Sequence, residues 1–125
     1  MENFYSEGGK HIPEIKFDAR TGILSVEGQS YHEHSEEFYA PVLAWLRRFT
    51  AITNTEIVMN MRFTYFNTAS SRSILDILEI LERYEEKNPG KVTVNWFYKE
   101  SDYDMLESGE DYQADINLKI NLLSY

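Results

Sequence analysis

Between Ile57 and Phe66 the chain reads IVMNMRFTYF, and between Lys91 and Lys99 it reads KVTVNWFYK. In the first stretch Ile57, Met59, Met61, Phe63 and Tyr65 fall on one face. Val58, Asn60, Arg62, Thr64 and Phe66 fall on the other, which is half polar. In the second, Val92, Val94, Trp96 and Tyr98 oppose Thr93, Asn95, Phe97 and Lys99. A period of two marks a strand with one buried face. Strands covered by helices on both sides are apolar throughout. The mixed faces therefore predict a sheet with helices mainly on one side and water on the other. This pattern points away from a doubly wound nucleotide-binding fold.

The rest of the chain alternates with these strands. The first ten residues, ending in Glu7-Gly8-Gly9-Lys10, read as loosely held. The segments 12–17 and 23–27 are short strands joined by the turn Asp18-Ala19-Arg20-Thr21-Gly22, which makes a hairpin. After a polar loop at 31–37, Phe38, Val42, Trp45, Leu46, Phe49 and Ile52 recur at helical spacing. Ser35 is a candidate cap for this helix, and Pro41 either starts it or kinks its first turn. A longer helix reaches about Asn88, with Ile74, Ile77, Leu78, Leu81 and Tyr84 as its buried stripe. Asn88-Pro89-Gly90 stops it. An acidic helix over 102–115 turns Met105, Leu106 and Tyr112 inward, and Ile116, Leu118, Ile120 and Leu122 alternate in a last strand. The order is hairpin, helix, strand, helix, strand, helix, strand. It predicts one α/β domain over 1–125, with a mixed sheet that is parallel after the hairpin.

Composition removes several functions. A formal charge of −9 repels phosphate backbones and anionic membranes, so neither nucleic acid nor membrane is an expected partner. The absence of cysteine excludes disulfides, zinc thiolate sites and thiol catalysis. No signal-peptide pattern and no apolar run of spanning length is present, so a soluble cytoplasmic domain is expected.

Candidate chemistry is sparse. His32-Glu33-His34 offers two imidazoles in a loop but no rigid third ligand, so a solvated loop is expected in place of a metal site. The acidic run from Asp102 to Asp115 lacks a glycine where a calcium loop needs one, and it reads as a solvated helix face. No nucleophile elbow, phosphate loop, dinucleotide fingerprint or zinc-protease motif occurs. What remains is Asn67-Thr68-Ala69-Ser70-Ser71, a patch of hydroxyls between a strand and a helix. Asn and Thr are good helix caps, which is the plain structural reading. The same helix end also carries free N–H groups and a partial positive charge, and it tolerates a phosphate.

These stretches resemble the SiaC family of bacterial regulatory phosphoproteins, whose fold is similar to that of the STAS-like anti-sigma-factor antagonists. The resemblance lies in Gly28-Gln29-Ser30-Tyr31 leading to Phe38 and Trp45-Leu46, in Tyr65-Phe66-Asn67-Thr68 with Ser70-Ser71, and in Val94-Asn95-Trp96-Phe97-Tyr98. It implies a non-catalytic signalling protein, without cofactor, switched by reversible phosphorylation of Thr68. It also implies a dedicated protein kinase, a PP2C-type phosphatase and a diguanylate cyclase bound by the unphosphorylated form, in cyclic-di-GMP signalling and biofilm regulation. The STAS antagonists carry an Asp-Ser pair ahead of the helix where this chain has Asn67-Thr68. Asn67, Ser70, Ser71 and Arg72 are the expected partner-binding surroundings, with Arg72 facing either the phosphate or an acidic partner residue. The rival reading is a small enzyme or ligand-binding domain with a pocket near Trp96 and Tyr98. A closed core around those aromatics favours the switch, and a deep pocket favours the rival.

Overall fold

The structure is a computed structural model and describes residues 1–125. Its elements are β1 (Phe4–Ser6), β2 (Glu14–Phe17), β3 (Ile23–Ser30), α1 (Ser35–Ile52), β4 (Ile57–Phe66), α2 (Thr68–Lys87), β5 (Val92–Tyr98), α3 (Tyr103–Asp115) and β6 (Ile120–Ser124). All six strands form one sheet in the order β1-β2-β3-β4-β5-β6. The pairs β1–β2 and β2–β3 are antiparallel, and the remaining three are parallel. Parallel crossovers are right-handed as a rule, so three that all step the same way place every helix on the same face. The burial pattern agrees: Leu24, Val26, Met59, Met61, Val94 and Trp96 are buried, whereas Ser25, Asn60, Arg62 and Asn95 are only half-buried. On the open face an amide ladder crosses three strands. Asn95 Nδ2 donates to Asn60 Oδ1 at 2.9 Å, and Asn121 Nδ2 donates to Asn95 Oδ1 at 3.0 Å.

Between sheet and helices lies one hydrophobic core of 27 residues. The predicted stripe of α2, from Ile74 to Tyr84, is entirely buried. On α1, Val42, Trp45, Leu46 and Phe49 are buried, joined by Tyr39 and Leu43, while Phe38 is half-buried and Ile52 is exposed. On α3, Met105 and Tyr112 turn inward and Leu106 only partly does. Gly109 lets this helix approach the sheet, because an added Cβ would lie 2.7 Å from Trp96 Nε1 and 2.8 Å from Leu122 Cδ2. Trp96 Nε1 meanwhile donates to the Met105 carbonyl at 2.9 Å.

Four local expectations change. The first ten residues are held: Phe4–Ser6 pairs with β2, Trp45 Nε1 donates to the Glu2 carbonyl at 2.8 Å, and Asn3 Oδ1 accepts from the Ala19 N–H at 2.8 Å. The alternation of β4 breaks near its end. Gly28 pairs with Phe63 but Gln29 pairs with Tyr65, which leaves Thr64 as an extra residue. This bulge exposes Tyr65 and turns Phe66 into the core, where it meets Phe63 and Trp96 edge-on. The helix α1 begins at Ser35 with His34 as its N-cap, and Pro41 lies inside it without ending it. Pro41 and Glu37 are both exposed, so water can take the carbonyl that proline leaves unpaired. Finally, β6 starts only at Ile120, because Ile116 closes α3.

Candidate functional site

β4 carries the chain to the carboxyl end of the sheet, and Asn67 turns it into α2. Three backbone-linked bonds fix Asn67. Its N–H donates to the Ser30 carbonyl at 3.1 Å, its Oδ1 accepts from the Ser70 N–H at 2.9 Å, and its carbonyl accepts from the Ser71 N–H at 2.9 Å. Asn67 is therefore the N-cap, and Thr68 is the first helical residue. Thr68 is exposed. Its N–H and that of Ala69 have no acceptor within the helix. The first turn of α2 contains no acidic residue, whereas that of α1 contains Glu36 and Glu37. In a chain of net charge −9, this helix presents an uncompensated positive end.

Beneath Thr68 lies a buried chain of hydroxyls. Ser30 Oγ donates to Ser70 Oγ at 2.8 Å and stands 2.7 Å from Tyr39 Oη; Ser70 Oγ is 3.1 Å from Ser35 Oγ. A hydroxyl has one proton, so Tyr39 donates to Ser30. Burial pushes the Tyr39 phenol up to about 12, against a smaller opposing effect of its bond with Ser30. The expectation that Ser70 faces a partner is corrected here. Its side chain is fully buried and ties the start of α2 to the end of β3 and the start of α1. Ser35 is likewise part of this network and not a cap.

The other expected residues line the helix start. Ser71 is half-buried, its Oγ donates to the Thr68 carbonyl at 2.7 Å, and its own carbonyl accepts from Tyr112 Oη at 2.9 Å. Burial also raises the Tyr112 phenol. Arg72 is exposed, with Nε 3.3 Å from Asp76 Oδ1 one turn further on. Thr68, Arg72 and Asp76 thus succeed one another at four-residue spacing along one side of α2.

A family model described as SiaC family regulatory phosphoprotein matches residues 6–125. The chain belongs to the SiaC family. An uncharacterized protein of Pseudomonas aeruginosa (strain UCBPP-PA14) is 32% identical over 116 residues, covering 92% of this chain and 90% of the relative. Among solved structures, SiaC of Pseudomonas aeruginosa matches with a TM-score of 0.90 at 28% identity, over 100% of both chains. A further match is to the crystal structure of the diguanylate cyclase SiaD in complex with its activator SiaC from the same organism. There the TM-score is 0.91 at 28% identity, over 98% of this chain and 99% of that one.

Two features of this SiaC-family chain bear on the rival readings. Trp96 is buried among Phe63, Phe66 and Tyr112, so it belongs to the closed core and cannot line an open pocket; Tyr98 is half-buried against that core. His32 and His34 lie with ring centres 5.6 Å apart, and the His34 N–H donates to His32 Nδ1 at 3.0 Å. No group of three or more His, Asp or Glu side chains is arranged to hold a metal ion. No helix is long and apolar enough to cross a membrane. The alternation of the sequence put Tyr65 on the buried face, but it is 54% exposed and meets Tyr31 edge-on at 5.7 Å. The available signal was Gly28, since an isolated glycine in a strand marks a bulge.

Proposed function

We propose that this chain is a non-catalytic cytoplasmic regulator, working as one unit over residues 1–125 and switched by reversible phosphorylation of Thr68. In its unphosphorylated form it binds and activates a diguanylate cyclase, and so acts on cyclic-di-GMP signalling and biofilm formation. A cognate protein kinase adds the phosphate and a PP2C-type phosphatase removes it. The observation that carries this reading is the exposed Thr68 at an α2 N-terminus that Asn67 caps and no acidic residue neutralises. The choice of cyclase is supported by the likeness to SiaC, the activator seen with SiaD.

The docking surface in this proposal comprises Asn67, Thr68, Ser71 and Arg72, with Ser70 supporting it from inside. A phosphate adds about −1.5 to −2 charges at Thr68, where the helix end accepts it without unfolding. Arg72 lies one turn away and can exchange Asp76 for the phosphate. Docking then has to desolvate that charge, which costs several kcal/mol. A loss of about 3 kcal/mol weakens binding roughly a hundredfold. The test is a titration of wild type, Thr68→Ala and Thr68→Glu against the host's diguanylate cyclase, with and without kinase and ATP. Kinase treatment is expected to weaken wild type roughly a hundredfold. Thr68→Ala should bind regardless of treatment, and Thr68→Glu should bind with intermediate strength. Kinase-treated wild type that carries the phosphate and still binds as tightly as Thr68→Ala would overturn the proposal.

A further inference from the structure

The open face of the sheet carries an arginine unlike the others. Arg20, Arg47, Arg48, Arg72 and Arg83 are exposed, whereas Arg62 is half-buried. Its guanidinium carbon lies 4.3 Å from the Tyr125 ring centre and 5.0 Å from that of Phe97. Two aromatic rings therefore hold a planar cation in place. Arg62 takes part in neither of the chain's Lys/Arg–carboxylate ion pairs, which are Lys16–Glu14 and Arg72–Asp76. An immobilised cation without a carboxylate is unexpected in a chain with 21 acidic residues.

The amide ladder ends beside it. Asn121 and Asn95 each donate one N–H toward β4, whereas Asn60 Nδ2 donates to no group of the chain and keeps both of its N–H groups unused. Asn60 and Arg62 are two residues apart on the same face of β4. Both line a partly open hollow of about 330 Å³ together with Ser25, Val26, Glu27 and Phe97. Glu27 is opposite Arg62 in the sheet register, but it is exposed and forms no ion pair with it.

We infer that this hollow receives a carboxylate side chain from an extended segment of a partner polypeptide. Arg62 takes the carboxylate in paired hydrogen bonds, and Asn60 Nδ2 adds a further donor. A polypeptide fits better than a free small acid for two reasons. Small-molecule sites enclose most of their ligand, and this hollow is partly open to solvent and lined by only six residues. The same face also exposes Tyr5, Ile23, Leu123 and Tyr125, the apolar and aromatic surroundings that protein interfaces use around an arginine anchor. This face is separate from the Thr68 surface, so the inference stands independently of the phosphorylation switch.

The experiment uses the ¹⁵N-labelled full chain and follows the Arg62 Nε–Hε and Asn60 side-chain amide signals by NMR. The probes are acetyl-Leu-Glu-Leu-amide, its Leu-Gln-Leu counterpart and succinate. The Glu peptide should shift both signals saturably and bind about tenfold more tightly than the Gln peptide. Arg62→Gln should weaken the Glu peptide about tenfold, and Glu27→Gln should strengthen it by removing a competing charge. Thr68→Ala should bind the peptide as wild type does. Equal responses to the Glu and Gln peptides, or no saturable response, would overturn the inference, and the comparison holds even where Arg62→Gln fails to fold. Succinate binding as tightly as the Glu peptide would assign a small-acid site and overturn the polypeptide reading.

Discussion

Asn67 gives its side chain to the backbone of α2, which leaves the neighbouring Thr68 exposed and without a cap role. The two positions should therefore separate in stability measurements. Asn67→Ala is expected to cost about 1 kcal/mol in urea unfolding, as lost caps do. Thr68→Ala should stay within about 0.5 kcal/mol of wild type, because an exposed first-turn residue without a cap role has little to lose. Thr68→Glu should gain about 0.3–1 kcal/mol from negative charge at the helix N-terminus. A variant that binds less well while melting higher would locate the binding loss in the interface and not in unfolding. Ser70→Ala is the opposite case: it removes a buried partner from Ser30 and Ser35 and should cost about 1–3 kcal/mol. Tyr39, in the same network, adds a pH signature. Its folded pKa of about 12 exceeds the ordinary 10.0, so the folded state holds the proton more tightly. That contribution is complete below pH 10.0 and is lost as the pH rises through about 12. Alkaline unfolding followed by circular dichroism should show this loss in wild type, and Tyr39→Phe should reduce it.

Among the elements, α3 depends most on a single small residue. Gly109 sits in a helix interior, where replacement by alanine ordinarily gains up to about 1 kcal/mol. Here the added methyl would meet Trp96 and Leu122, so Gly109→Ala should destabilise by about 1–3 kcal/mol. Thermal melts decide the sign. The elements also show what the sequence discloses. β4 and β5 were legible because a sheet with one wet face writes its burial as a period of two. The stripe of α2 was legible for the same reason at a period of 3.6. β1 was not, since Phe4–Ser6 is too short to show a period. Tyr65 was misplaced because one extra residue at Thr64 reverses every later assignment on the strand. Within the site, Asn67 and Thr68 were legible as a helix start, but the sequence did not say which of them caps. Ser35 and Ser70 were misread because a serine in a buried network looks, as a letter, like one facing water.

At the scale of the whole molecule, the N-terminal strand closes one side of the sheet and packs Phe4 against Phe17, with ring centres 6.2 Å apart. Removing residues 1–6 should lower the unfolding midpoint and bare the outer edge of β2, an edge that invites association. Light scattering across a concentration series should then detect association in the truncated chain at concentrations where the full chain scatters as before. The strand order has a further consequence. Because every strand lies beside its predecessor, a chain emerging from the ribosome can lay down its sheet one strand at a time. No strand has to wait for a distant segment before it finds a neighbour, and the loops to be closed span only a helix and its turns. Such a route shortens the interval in which an unpaired edge is available to other chains, and it favours rapid folding over what a parallel sheet of scrambled order would permit.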